Sequence, residues 1–226
     1  MSTLAPQDES SANLQDAGCR HIHLEMDNEG VNPISDLVMK RRLSKLYGEI
    51  NPNLILHYTI KPVIYGSMAA AKLGIPFINN ITGLGTAFIK TNWLTWLVQG
   101  LYRVSQKNAV HVLFQNADDR ELFKREKLIS EDVPQEVIPG TGIDTDYFKV
   151  RPYPESYPVT FLLIARMLWD KGVGEFVEAA RQIKLEFSDV RFQLLGFLDV
   201  INRTAISRQQ MQIWEDEGII EYLGQS

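Results

Sequence analysis

Short apolar segments typical of strands alternate with longer amphipathic segments typical of helices along almost the whole chain. Strand patterns occur at 19–26, 53–58, 76–80, 110–115, 136–138, 159–165, 190–196 and 219–222. Helix patterns occur at 33–50, 62–73, 91–107, after Asn116, at 172–187 and at 204–217. Such alternation predicts parallel β-sheets with helices on both faces, so the expected fold class is α/β.

A proline-rich segment divides this pattern into two parts. Residues 151–158 carry three prolines in eight residues, and prolines at this density mark loops and linkers. We therefore expect two Rossmann-like lobes, at residues 1–149 and 159–226, joined by a linker at 150–158. The second lobe has fewer strand and helix patterns than the first, which predicts that it is incomplete and leaves a sheet edge exposed.

Length and composition exclude several classes of protein. The chain has 226 residues, of which 45% are hydrophobic, as in a globular protein with a buried core. The net charge of −5 argues against a nucleic-acid partner. Cys19 is the single cysteine, which fits a reducing, cytoplasmic location. No apolar run reaches about 18 residues, so no membrane-spanning helix is predicted.

The segment 162–173 carries the strongest indication of a binding site. An apolar strand ends at Arg166, and a short loop leads to Lys171 and an amphipathic helix. Ligands of open α/β sheets bind beyond the carboxyl ends of the strands, and helix N-termini attract anions. Arg166 and Lys171 therefore predict a diphosphate site. The alternative is a surface turn with two solvated cations, in which Asp170 caps the helix.

Three further segments give weaker indications. Gly83-Leu84-Gly85 lies between a strand and a helix, where backbone N–H groups can approach a ligand, but Phe88 occupies the position of a third fingerprint glycine. Residues 140–144 are compatible with a cleft lining, a hinge or a simple turn. His57 is a candidate base and Lys61 a candidate anion contact, although a lone histidine more often has a structural role. No spacing of Cys, His and carboxylate residues predicts a metal site.

The helix pattern at 91–107 carries a conspicuous apolar stripe. Its members are Trp93, Trp96, Leu97, Leu101 and Val104. Packing against the core is the first interpretation, but two tryptophans flanked by lysine and arginine also suit a membrane interface or a lipid-linked substrate.

Six segments carry motifs in an order found in one enzyme family. They are YTIKP at 58–62, NITGLGTAF at 80–88, QNADD at 115–119, PGTGIDTDYF at 139–148, AR at 165–166 and KGV at 171–173. With these motifs the chain resembles family-4 retaining glycosyltransferases of the GT-B architecture. Within that family it is most similar to bacterial enzymes that build capsule, O-antigen or exopolysaccharide repeats on a polyprenyl-diphosphate carrier.

The resemblance implies transfer of a sugar from a nucleotide sugar, expected to be a UDP-sugar, to a lipid-linked saccharide with retention of anomeric configuration. Arg166 and Lys171 are the implied catalytic residues, because they would stabilise charge on the leaving diphosphate. The implied donor-binding residues are Arg166, Lys171 and Gly142. The implied acceptor-binding residues are Lys61, Thr82, Gly83 and Gly85. The family needs no metal or other cofactor for the diphosphate, and no protein nucleophile is implied.

The chain also departs from the family pattern. It lacks the family's first strand with its glycine loop and the two glutamates, in an E-G-x-P-x-x-x-x-E context, that bind the donor sugar and ribose. We therefore expect a chain truncated at both ends, whose transfer activity is impaired. The alternatives are a non-catalytic remnant or subunit that binds a partner polypeptide, and a sugar-nucleotide 2-epimerase of similar fold. The expected location is cytoplasmic, with peripheral contact to the inner face of the plasma membrane through Trp93 and Trp96.

Overall fold

The computed structural model describes residues 1–8, 10–26, 32–83, 93–152, 158–199, 202 and 204–225, without the side chains at positions 10, 93 and 94. The chain divides into two compact units, Met1–Asp144 and Thr145–Ser226.

Strands and helices alternate through both units. The strands are β1 (Ser2–Ala5), β2 (Arg20–His23), β3 (Ile55–Tyr58), β4 (Phe77–Ile81), β5 (His111–Phe114), β6 (Gln135–Val137), β7 (Val159–Ile164), β8 (Val190–Leu195) and β9 (Glu221–Tyr222). The α-helices are α1 (Ser10–Asp16), α2 (Pro33–Ile50), α3 (Ser67–Leu73), α4 (Trp93–Gln106), α5 (Ala117–Arg125), α6 (Val173–Glu186) and α7 (Arg208–Asp216). A turn of π-helix, Pro62–Gly66, precedes α3, and a 3-10 turn, Trp169–Lys171, precedes α6.

The first unit contains two parallel sheets. β1 pairs with β2, and a four-stranded sheet has the order β3-β4-β5-β6. Phe77, Val112 and Phe114 from the larger sheet are fully buried in the core. Because every pairing is parallel, the carboxyl ends of the strands within each sheet lie at one edge, where ligands of such sheets bind.

The second unit contains a parallel sheet of order β7-β8-β9. Side chains from α6 and α7 share one core with Phe192 and Leu194 of β8, so both helices pack on the same sheet face. Side chains alternate between faces along a strand, and Leu162 and Ile164 point to the opposite face. They are 47% and 69% exposed.

The α/β class and the parallel sheets are as predicted, and several helix boundaries follow from local chemistry. The Asn32 side chain accepts hydrogen bonds at the start of α2, and Asn116 accepts one from the Asp119 N–H at the start of α5 (2.7 Å). Gly74, in the left-handed conformation, ends α3.

The sequence patterns did not predict β1 and α1. Ser2–Ala5 contains one large apolar residue, and α1 has only seven residues, which is too short for a helix to be stable alone. Pairing of β1 with β2 therefore stabilises this segment through contacts that no local pattern records. α7 also begins later than predicted, because Ala205 pairs with Leu168 instead of entering the helix.

The helix predicted over 62–73 begins as a π turn. This turn places Gly66 directly against two buried side chains. A Cβ at Gly66 would lie 2.7 Å from Nε2 of His57 and 2.9 Å from the hydroxyl of Tyr47. Only glycine fits this position without displacing one of those rings.

Candidate functional site

Arg166 and Lys171 lie on the connection between β7 and α6, at the carboxyl edge of the second sheet. Both side chains are exposed, and neither forms a hydrogen bond or ion pair with any residue that the structure describes. Two cations without carboxylate partners keep their full charge for a ligand, and the fork of a guanidinium matches phosphate oxygens.

The connection that carries these cations is held in place by the segment after β8. Met167 and Leu168 are buried, and the Met167 N–H donates to Phe197 O (2.9 Å). The Trp169 N–H donates to Thr204 O (2.8 Å). One interpretation of the sequence has Asp170 capping the helix, and this is wrong. Instead, Oδ2 of Asp170 accepts a hydrogen bond from the Thr204 hydroxyl (3.0 Å). Backbone and side-chain hydrogen bonds therefore both hold the loop after β7 against the segment that follows β8.

The helix α6 begins beside this loop with no side-chain cap. Gly172 precedes it with φ of 76°, which turns the chain from the 3-10 turn into the helix. The first N–H groups of a helix have no intrahelical partner and carry partial positive charge. This helix end adds to the positive potential of Arg166 and Lys171, which suits an anion such as a diphosphate.

The end of β7 packs closely against Gly196 at the end of β8. A Cβ at this glycine would overlap the carbonyl of Ala165, the residue before Arg166. Gly196 has φ of 144° and donates its N–H to Gly224 O (2.7 Å), while its own carbonyl accepts from the Tyr222 hydroxyl (2.7 Å). The backbone position of Arg166 thus depends on a glycine in the neighbouring strand connection.

The predicted acceptor residues lie at the carboxyl edges of the first unit. Lys61 follows β3, and Thr82 and Gly83 follow the adjacent strand β4. Gly85 lies outside the described residues. Gly142, predicted to bind the donor, is exposed after β6 with φ of 76° and belongs to the first unit. No contact among the described residues tests the roles of these positions.

Lys61 forms a buried ion pair that the sequence did not predict. Its Nζ lies 3.0 Å from Oδ1 of Asp36, and the two side chains are only 14% and 6% exposed. The Tyr65 hydroxyl donates to the other carboxylate oxygen (2.9 Å). The pair lines a cavity of about 570 Å³ that also includes Arg42 and His23.

One signal for this cavity is present in the sequence. Asp36 occupies the face of α2 that buries Met39, Leu43 and Tyr47. A carboxylate at a core position of an amphipathic helix requires a polar or charged partner. The position of Asp36 on the buried face of α2 therefore predicts that such a partner lies nearby. Arg42, which lies on the same helix as Asp36, also lines the cavity.

His57 has a structural role, which is the more common role for a lone histidine. It is 2% exposed. Its Nδ1–H donates to Asn79 Oδ1 (2.9 Å), and its Nε2 accepts from the Tyr47 hydroxyl (3.0 Å). Asn79 Nδ2 continues the network to Gln106 Oε1 (2.7 Å). Burial lowers the pKa of His57 to about 4, against a weaker opposing effect of the hydrogen bond with Asn79.

The core-packing interpretation of the tryptophan stripe holds for Leu101, which packs against the core, and is wrong for the other members whose side chains the structure describes. Trp96 is 67% exposed, and Leu97 and Val104 are also exposed. The buried face of α4 is instead largely polar, with Gln99 and Gln106 beside Val98 and Tyr102. The side chain of Trp93 lies outside the described part. None of the helices in the described residues is long and apolar enough to cross a membrane.

Residues 3–116, just over half of the chain, match the family described as "Glycosyl transferase 4-like", and the chain belongs to this family. It is 28% identical over 238 residues to the Campylobacter jejuni N,N'-diacetylbacillosaminyl-diphospho-undecaprenol alpha-1,3-N-acetylgalactosaminyltransferase. That match covers 98% of this chain and 61% of the relative, so the chain spans less than two thirds of the relative's length.

Solved structures show the same fold. Anabaena Alr3699/HepE, crystallised with UDP-glucose, superposes with a TM-score of 0.68 at 16% identity over 95% of this chain and 58% of its own. A glycosyltransferase from Rickettsia africae gives a TM-score of 0.61 at 17% identity, covering 100% of this chain and 60% of its own. The predicted glycosyltransferase family and GT-B fold are thereby confirmed.

Proposed function

We propose that the protein transfers a sugar from a nucleotide sugar, with UDP as the expected carrier, to a lipid-linked saccharide. The observation that carries the proposal is the pair Arg166 and Lys171 at the carboxyl end of β7, whose side chains have no partner among the residues that the structure describes and lie beside the start of α6, which has no side-chain cap. Gly142 is proposed as a further donor contact. Lys61, Thr82, Gly83 and Gly85 are proposed on the acceptor side.

The comparisons support both the acceptor and the donor of this proposal. The Campylobacter relative is named for transfer of N-acetylgalactosamine to a saccharide on diphospho-undecaprenol. Structures of HepE were determined with UDP and with UDP-glucose. Surface-polysaccharide assembly, such as O-antigen or capsule synthesis, is the process we propose for the chain.

In the proposed reaction Arg166 and Lys171 neutralise charge on the departing diphosphate, and no metal is required for that task. The bond from the anomeric carbon to the diphosphate breaks as the acceptor oxygen bonds to the same face of that carbon. The acceptor hydroxyl proton passes to an oxygen of the departing phosphate. The configuration is retained without a protein nucleophile.

Arg166→Ala is expected to weaken UDP binding by about 1.5–3 kcal/mol, the usual contribution of hydrogen bonds to a charged group. Isothermal titration calorimetry of the full chain with UDP measures the change. Arg191→Ala is the matched control, since Arg191 is also exposed but lies near the amino end of β8. Unchanged affinity in Arg166→Ala, or equal losses in both variants, would remove Arg166 from the site.

We also propose peripheral membrane contact through the exposed face of α4, which would bring the protein to a lipid-linked acceptor. Trp96→Ala is expected to lower affinity for phosphatidylethanolamine–phosphatidylglycerol vesicles by roughly ten- to a hundredfold, since burying a large apolar side chain contributes about 1.5–3 kcal/mol. Vesicle co-sedimentation measures the change. Phe187→Ala, an exposed aromatic of the second unit, is the control and should leave binding intact. Equal binding by both variants would refute contact through α4.

A second candidate function is a subunit that binds a partner polypeptide. The exposed apolar residues Leu162 and Ile164 favour it, because parallel sheets are usually covered on both faces. The two candidates differ in a direct assay: sugar transfer by the purified chain alone would exclude an obligatory partner.

A further inference from the structure

A second cavity, of about 910 Å³, lies at the amino edge of the four-stranded sheet in the first unit. Pro134 and Gln135, where β6 begins, form one wall, and residues of α5 and of the loop after it form another. Because the strands of this sheet are parallel, Lys61 and Thr82 lie at its opposite, carboxyl edge. The cavity is therefore separate from the positions proposed to bind the acceptor.

Four cations line this cavity, against one carboxylate. The cations are Arg103 of α4, Arg120 and Lys124 of α5, and Lys127 after α5, and the carboxylate is Glu131. This excess of positive charge occurs in a chain whose net charge is −5. A concave surface lined by charges of one sign concentrates counter-ions, so the basic cavity attracts anions.

The ion pairs of the four cations leave most of their charge uncompensated. Arg120 and Lys124 share a single carboxylate, that of Glu121, at 3.3 and 3.6 Å. Arg103 and Lys127 form no ion pair with any residue that the structure describes. The side chains of Arg120 and Lys124 are 32% and 48% exposed, so a ligand can reach them. Exposed pairs of this kind contribute little, and an incoming anion replaces Glu121 at small cost.

Arg103 offsets the negative potential at the end of α5. Carbonyls at a helix C-terminus carry partial negative charge, which disfavours an anion nearby. The Arg103 guanidinium donates from Nη2 to Glu126 O (2.9 Å) and from Nε to Lys127 O (3.3 Å). Carbonyls do not cancel its charge, and these two bonds leave three of its five N–H groups for a ligand.

Lys127 occupies a backbone position that favours glycine. Its φ is 50°, and it follows the last turn of α5, where the Leu128 N–H donates to Phe123 O (2.9 Å). Glycine is the usual residue at this point of such a helix end, because a side chain strains the left-handed backbone. Lysine therefore costs stability at a position where its ammonium adds to the charge of the cavity, as expected of a functional residue.

The composition of the lining indicates which anion fits. Leu128, Ile129 and Val133 give the cavity a buried apolar wall, and charges act more strongly beside a low-dielectric surface. The guanidinium forks of Arg103 and Arg120 match the oxygens of phosphate. Four cations in one cavity favour a ligand with several negative charges over a single carboxylate.

We propose that the basic cavity binds an anion that carries two or more phosphate groups, with its four cations as the binding residues. The same chemistry is present in a soluble compound such as pyrophosphate and in the headgroup of a lipid with two phosphates. This site is additional to those of the donor and the acceptor, and it does not depend on the proposed transfer reaction.

Isothermal titration with inorganic pyrophosphate tests the proposal. The full chain carries Arg166→Ala and Lys171→Ala throughout, so that the proposed donor site does not contribute. Lys124→Gln should lower the affinity by about tenfold, the lower end for hydrogen bonds to a charged group. Lys45→Gln is the matched control and should stay within about twofold. Lys45 also pairs with a glutamate of its own helix (3.7 Å), but it lies on α2 and does not line the cavity.

Lys127→Gly should have two opposite effects. It should raise the melting temperature by about 2–4 °C, because it relieves backbone strain, and still lower the affinity for pyrophosphate about tenfold. A lysine with only a structural role would not produce the second effect. Asn51→Gly is the control: Asn51 ends α2 with φ of 47° and does not line the cavity. This variant should leave the affinity unchanged.

A second measurement identifies the source of the phosphates. Co-sedimentation with phosphatidylethanolamine vesicles, with and without cardiolipin, measures the binding that a lipid with two phosphates adds. Losses in Lys124→Gln and Lys127→Gly for pyrophosphate alone would support a soluble ligand, and losses for cardiolipin would support a lipid headgroup. Binding of neither probe by the folded chain, or losses no larger than those of Lys45→Gln for both probes, would overturn the proposal.

Discussion

Gly196→Ala is expected to lower the free energy of unfolding of the second unit by about 3–5 kcal/mol, from combined steric overlap and backbone strain. The added Cβ would overlap the Ala165 carbonyl, a backbone atom at the end of β7 that cannot move aside like a flexible side chain. The φ of 144° is also nearly closed to residues other than glycine. Hydrogen exchange read by mass spectrometry, which resolves the two units, measures the loss in α6 and β8.

Gly218→Ala is the matched control for this prediction. Gly218 also has positive φ, 68°, but a Cβ there meets no atom within 4 Å. It should cost only about 1 kcal/mol, from the left-handed backbone alone. Gly196→Ala should also reduce UDP binding, because Ala165 precedes Arg166. Equal destabilisation by the two alanines would show that the close approach of β7 and β8 is not a constraint.

Acidification is expected to destabilise the first unit through His57. Its pKa in the folded chain is about 4, below the ordinary value of 6.5. Above pH 6.5 the ring is neutral in both states and contributes no pH dependence. As the pH falls from 6.5 towards 4, the unfolded chain binds a proton that the folded chain does not. The free energy of unfolding therefore falls by up to about 1.4 kcal/mol per pH unit, about 3 kcal/mol in all.

Urea unfolding between pH 7 and pH 4 measures this dependence, with hydrogen exchange assigning it to the first unit. His57→Gln removes the titrating ring and should flatten the slope over this interval, although it lowers stability at pH 7. His23→Gln removes an exposed histidine and should leave the slope intact. A slope unchanged in His57→Gln would show that other groups carry the acid sensitivity.

The outline of the fold could be predicted because its signals are local. Apolar segments of strand length, the Asn116 cap and the glycine after α3 each act within a few residues. The position of Arg166 and Lys171 followed from the same logic, since the end of a buried strand and the start of a helix are both visible in one segment.

The cavity could not be predicted because its residues are brought together by the tertiary fold. Asp36 and Lys61 lie on α2 and after β3, and nothing in the spacing of the two positions indicates a 3.0 Å ion pair. β1 was missed for a related reason, since parallel pairing with β2 stabilises a segment that is weak alone.

The orientation of α4 shows where periodicity is ambiguous. The helix has a strongly apolar side, and burial of that side is the simplest expectation. Gln106 lies on the other side and accepts a hydrogen bond from Asn79 of β4 (2.7 Å). A buried polar network therefore holds the polar side inward and leaves Trp96 exposed.

The π turn at Pro62–Gly66 has a consequence for how this chain is compared with its homologues. A π turn holds one residue more than an α-helical turn, and each added residue rotates the following positions by about 100°. A homologue with an ordinary helix here should be one residue shorter between the lysine after β3 and the serine that starts α3. An ungapped alignment would then match either Lys61 or Ser67 correctly, but not both.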